Sequence, residues 1–128
     1  MIHVKIFKQA SYPVSSKKIR DAVSLVFSQN GIVSPSIASV ALVDAEKMKY
    51  LVDKYYDDHD KHVVLSFPTS EVEGPFVFPP DGKNYLGDIM ISYPDCVEEA
   101  KAKNRLIEEV VLEYARHGAM HLIGIHHD

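Results

Sequence analysis

The chain has 128 residues, 46% of them hydrophobic, a size and apolar content that support one core and a single domain over residues 1–128. Its formal charge of −4 disfavours a protein that holds nucleic acid by bulk attraction alone. The lone cysteine, Cys96, rules out an internal disulfide, and no apolar run approaches the ~20 residues of a membrane span. Residues 1–10 alternate apolar and polar side chains and lack the continuous apolar core of a secretion signal, so no membrane association and a cytoplasmic location are expected. The charge is uneven. Residues 1–64 carry nine Lys/Arg against seven Asp/Glu, and residues 65–128 carry five against eleven. An anion-binding face is therefore expected to draw on the first half, with Lys5, Lys8, Lys17, Lys18 and Arg20 as contributors.

In chain order, residues 2 to 8 read as a strand, and Ser15 or Ser16 caps a helix with Ile19, Ala22, Val23, Val26 and Phe27 on one face, ended by Gly31. The β-branched run Ser36 to Val43 suits a buried strand. Asp44 caps a second helix with Met48, Leu51, Val52 and Tyr55 on its apolar face, and Val63 to Phe67 forms a third strand. Pro68 to Tyr85 holds four prolines and two glycines and reads as a long exposed loop, expected to be mobile and to edge the functional cleft. Leu86 to Ser92 is the fourth strand. Pro94 and Asp95 open a helical tract that breaks near Lys103 and Asn104, and a last helix uses Leu106, Ile107, Val110, Val111 and Tyr114 as its apolar face before reaching His117. The order predicts an α+β domain: a mixed four-stranded sheet with packed helices and a C-terminal metal-binding helix.

Four of the seven histidines fall in the last twelve residues, H117-G-A-M-H121-L-I-G-I-H126-H127-D128. Residues i and i+4 share a helical face, so His117 and His121 can offer two imidazole nitrogens to one ion. Gly124 can take the left-handed conformation that ends a helix and turns the chain, which would bring back His127 as third ligand, with His126 as the alternative. Three neutral imidazoles suit one Zn²⁺ per chain and leave the fourth position for water or substrate. His3, His59 and His62 are scattered and are expected to be structural or exposed.

The spacing is similar to that of the metzincin proteases, whose first histidine is followed by a glutamate that acts as general base; here that position is Gly118, which argues against proteolysis by their mechanism. The closer resemblance is to the YbeY family of bacterial rRNA maturation factors, with its motif His-Gly-x-Leu-His-Leu-x-Gly-Tyr-Asp-His. Upstream, V64-L-S-F-P68 and L86-G-D-I-M-I-S92 resemble two strands of that family, and Leu51 to Tyr55 stands where it has Leu-Asn-x-x-Tyr. The resemblance spans roughly residues 37 to 128. It implies a zinc-dependent endoribonuclease acting on single-stranded RNA, with the rRNA of the ribosome as partner, in processing of the 16S rRNA 3′ end and in ribosome quality control.

Five positions depart from the family. The arginine that follows Leu-Asn-x-x-Tyr is Tyr56, the asparagine is Val52, the Asp or Asn before Val-Leu-Ser-Phe-Pro is Val63, and Tyr-Asp before the last histidine is Ile125-His126. Tyr56 thus occupies the family's catalytic arginine position without a fixed positive charge. Asp88 and Asp128 are the candidate proton acceptors, and Lys54, Lys61 or His59 could supply the missing charge. Two other readings remain: a non-catalytic zinc-bearing RNA-binding or ribosome-associated protein, and a metal hydrolase acting on another substrate.

Overall fold

The elements follow in the order β1 (Ile2–Phe7), α1 (Ser16–Gln29), β2 (Ser36–Val43), α2 (Ala45–Tyr55), β3 (Val64–Pro68), β4 (Asn84–Ser92), α3 (Tyr93–Lys103) and α4 (Ile107–Leu122). The structure is a computed structural model and describes residues 2–33, 35–56, 62–69 and 84–125. The sheet order is β1-β2-β4-β3, with β1, β2 and β4 parallel and β3 antiparallel to β4 at the edge. This is the expected α+β domain with a mixed four-stranded sheet. None of its described helices is long and apolar enough to cross a membrane.

Local chemistry sets the helix ends. The Ser15 side chain accepts from the Lys18 N–H and the Asp44 carboxylate from the Lys47 N–H, satisfying amide donors that a helix start leaves open. Gly31 follows α1 at φ 86°. Asn104 breaks the last helical tract in the left-handed region at φ 52°, next to the Lys103 at which the break is expected. α4 starts without a side-chain cap, but Glu108 in its first turn accepts from the Ser15 N–H at 3.1 Å and from the Lys18 amine at 2.8 Å. One carboxylate therefore ties the starts of α1 and α4 together, and the Lys18 hydrogen bond holds its carboxyl below the usual glutamate range.

Alternation along the central strands divides the apolar residues between the two sheet faces. Ala38, Val40, Leu42, Ile89 and Ile91 join the main core with Ile19, Val23, Phe27, Val110 and Val111 from α1 and α4. The other face is covered by α2, where Met48, Leu51 and Val52 bury against Leu65, with Met90 and Phe67 packed beside them. α4 carries Val110 and Val111 although β-branched residues are mediocre helix formers; both are fully buried, a gain of about 1.5–3 kcal/mol each that outweighs a propensity cost of under about 1 kcal/mol.

Several boundaries differ from expectation. β4 begins at Asn84, so Tyr85 is strand and not loop, because its pairing with Ile37 of β2 extends the ladder. β3 runs from Val64 to Pro68, one residue later than expected. Tyr55 and Leu106, both assigned to apolar faces, are exposed: Tyr55 is the last residue of α2 and Leu106 precedes the first turn of α4, so each lacks a further helical turn to cover it. Most of the proposed Pro68 to Tyr85 loop, residues 70–83, lies outside the described residues, and so do its expected mobility and place beside the cleft.

Cys96 on α3 is fully buried, and burial, followed by the nearby Glu99 and Asp95 charges, pushes its thiol up to about 12. Its alkylation at about pH 8 should therefore proceed only through opening of the protein, at least about a hundredfold slower than for the unfolded chain, whose thiol ionises near 8.5. Comparing labelling rates with and without denaturant checks this; equal rates would refute it.

Candidate active site

The start of the site is a close approach of α4 to the sheet. Gly118 faces β3 and β4 so tightly that a Cβ there would lie 2.6 Å from Ile89 Cγ2 and 3.2 Å from Ser66 Oγ. The Ser66 hydroxyl donates to the Gly118 carbonyl at 3.2 Å, fastening edge strand to helix. One turn further, a Cβ on Gly87 would lie 2.4 Å from the Phe67 carbonyl oxygen and 2.7 Å from Leu122 Cδ2. Gly87 also takes φ 142°, at a shift in the β2–β4 register where Leu86 is the extra residue. The two glycines set how near α4 lies and which of its residues face outward.

His117 and His121 stand on the other side of that turn. Their ring centroids are 4.4 Å apart with planes inclined by 44°, and His121 Nε2 is buried. Two imidazoles on one tetrahedral ion hold their centroids about 5 Å apart, so small side-chain rotations would bring both nitrogens onto one metal. The pair fits zinc as a donor set, with His121 already carrying one nitrogen out of water. After Leu122 the helix ends as the spacing predicts: Gly124 adopts φ 84°, its N–H bonds to the His121 carbonyl at 3.1 Å, and the Ile125 N–H bonds to the Met120 carbonyl at 2.9 Å. His126, His127 and Asp128 lie outside the described residues, and among the described residues no group of three metal-ligating side chains occurs.

The histidine pair opens into a cleft of about 470 Å³ lined by Tyr56, His62, Val63, Val64, Ser66 and Tyr114 as well as His117 and His121. Tyr56 enters it from the C-terminal end of α2, where its N–H still bonds to the Val52 carbonyl at 2.8 Å. Its ring lies 5.1 Å from that of His62. Tyr114 is held by a 2.6 Å hydrogen bond from its hydroxyl to Glu99, and burial together with that bond raises its pKa, leaving it a neutral donor.

The remaining candidates fall elsewhere. Asp88 does not line the cleft; its Oδ1 accepts hydrogen bonds from the Ser39 and Tyr85 hydroxyls, bracing β2 against β4. Tyr85, in turn, is pushed up to about 12, first by burial and then by the Asp88 bond. The Lys54 amine sits over the rings of Tyr50 and Tyr55, outside the cleft lining. His59 and Lys61 are outside the described residues. His62, expected to be structural or exposed, is instead a cleft residue. The only sign of it in the sequence was its place two residues before V64-L-S-F-P68, in register with Val64 and Ser66 on the side that meets α4.

The structure is thus a small α+β domain in which two imidazoles of one helix share a cleft with His62, Tyr56 and Tyr114. The model of the endoribonuclease YbeY family matches residues 5–128. Endoribonuclease YbeY of Thermus thermophilus is 33% identical over 110 residues, covering 86% of this chain and 75% of the relative. Endoribonuclease YbeY of Moorella thermoacetica is 30% identical over 126 residues, covering 94% and 81%. The chain belongs to the YbeY family. The solution structure of TM1509 from Thermotoga maritima shares the fold, with a TM-score of 0.58 at 21% identity over all of this chain and 75% of that one.

Proposed function

We propose that this protein is a zinc-dependent endoribonuclease that cuts single-stranded RNA in the cytoplasm, in 16S rRNA 3′-end maturation and ribosome quality control. The observation that carries the reading is the convergence of His117 and His121 on one cleft in a chain of the YbeY family. His127 is the third ligand in this reading. When bound, zinc would supply Lewis-acid chemistry and lower the pKa of a water toward neutrality.

The chain's own residues supply the rest. Tyr56 and His62, whose rings lie 5.1 Å apart at a tilt of 35°, offer O–H and N–H donors to a phosphodiester, while the Tyr114 hydroxyl is committed to Glu99 and shapes the wall beside them. Val63 and Val64 line the cleft with apolar surface that strengthens those hydrogen bonds by excluding water. Asp88, tied to Ser39 and Tyr85, serves the sheet in this scheme and not the proton transfer.

Tyr56 gives a direct test. The family motif that Leu51 to Tyr56 resembles has an arginine there, and a well-placed charged donor is worth on the order of 3 kcal/mol of transition-state stabilisation, or about a hundredfold in rate. The wild type should cleave single-stranded RNA slowly and Tyr56→Arg should be about a hundredfold faster at equal zinc loading. A fast wild type slowed by Tyr56→Arg would assign the charge to another residue. The replacement of that arginine also favours a second reading, a zinc-bearing RNA-binding protein without catalysis; RNA binding with no cleavage by either form would establish it.

A further inference from the structure

The apolar side of α2 is fully used by Met48, Leu51 and Val52, yet the helix carries two more large rings that face water: Tyr50 is 53% exposed and Tyr55 is 56% exposed. Lysines interleave them. The Lys47 amine lies 5.2 Å from the Tyr50 ring centroid, and the Lys54 amine lies 5.7 Å from Tyr50 and 5.3 Å from Tyr55. Lys47, Tyr50 and Lys54 are spaced i, i+3, i+7 and form one strip, while Glu46, Lys49 and Asp53 fall on the neighbouring one. The strip does not end in solvent. Tyr55 meets Phe67 of edge strand β3 edge-on at 5.3 Å, and the next residue, Tyr56, lines the cleft.

We infer that this flank of α2 is a binding track for single-stranded RNA, on which Tyr50 and Tyr55 stack unpaired bases while Lys47 and Lys54 hold the phosphates leading into the cleft. The inference rests on RNA being the substrate. Alternating rings and cations match a single strand, whose bases are free to stack and whose charge repeats at every nucleotide; a duplex keeps its base faces covered. In the free protein the two lysines cover the ring faces, an attraction that is weak at exposed sites, so an incoming base can displace them toward the adjoining phosphates. Lys54 is charged at neutral pH like any exposed lysine, and hydrogen bonding to Tyr50, the largest influence on it, raises its pKa further. The track would also lie in the half of the chain with the positive balance.

The test is fluorescence anisotropy of the full chain with a labelled oligouridylate of about 12 nucleotides, repeated over a range of salt. Tyr50→Ala should weaken binding about tenfold, Tyr50→Phe should bind like the wild type, and Lys54→Gln should make the salt dependence shallower by about 0.7 in log–log slope. Thermal melting should be unchanged, and binding to a blunt RNA duplex should respond to none of the three. If the wild type binds and Tyr50→Ala and Lys54→Gln bind equally well, the track is wrong while the functional reading stands. If the wild type binds but does not cleave, the track stands and the nuclease reading falls. No binding of single strands by the wild type overturns both.

Discussion

Gly118→Glu should unfold the protein, although it restores the carboxylate that the metzincin proteases carry next to their first histidine. The position points at the sheet and not at the cleft: a Cβ would stand 2.6 Å from Ile89 Cγ2, and Ile89 is fully buried. Overpacking of this kind costs about 1–3 kcal/mol, and a carboxylate forced into an apolar contact adds several more. The total approaches the about 5–15 kcal/mol by which a domain of this size is stable. Urea denaturation of Gly118→Glu, beside Arg116→Glu on the exposed side of the same helix, measures the difference. Arg116→Glu should keep its midpoint. A Gly118→Glu protein of wild-type stability would mean that α4 does not lie as close to β3 and β4 as described, and peptide hydrolysis by it would remove the case against protease chemistry.

His117→Ala and His121→Ala should each reduce bound zinc from about one per chain to nearly none and lower RNA cleavage by on the order of a thousandfold, the rate equivalent of about 4 kcal/mol. His121 should have the larger effect on melting temperature of the metal-loaded protein, since its Nε2 is buried and metal binding is coupled to folding. His62→Ala separates ligand from cleft residue: it should keep full zinc and lose part of the RNA affinity. Metal content by mass spectrometry and melting with and without chelator supply the readouts. Stoichiometric zinc in both the His117 and His121 variants would sink the metal site.

Local signals were legible where the residues themselves enforce the outcome. The caps at Ser15 and Asp44, the turn at Gly124 and the i, i+4 histidines all depend on neighbours within a few residues. Contacts between distant segments left no such trace. Tyr85 read as loop because its pairing partner, Ile37, is remote in sequence. Asp88 had the charge of a proton acceptor, but its two hydroxyl partners are in the sheet. His62 stands far from the C-terminal histidine cluster in sequence and reaches the cleft only because β3 runs along α4. Gly118 was notable in sequence for the carboxylate it lacks; the structure shows that it is required small.

The unequal division of the core has a consequence for how the molecule opens. α1 and α4 share the large apolar cluster that also spans the sheet, whereas α2 is held by Met48, Leu51 and Val52 against Leu65. Detaching α2 would expose only that lesser cluster and leave the face beneath α4 closed, so its free energy of opening lies below that of global unfolding. The helix that delivers Tyr56 to the cleft therefore belongs to a separate, weaker cooperative unit than the helix that presents His117 and His121. One wall of the cleft can breathe on its own while the histidines stay in register.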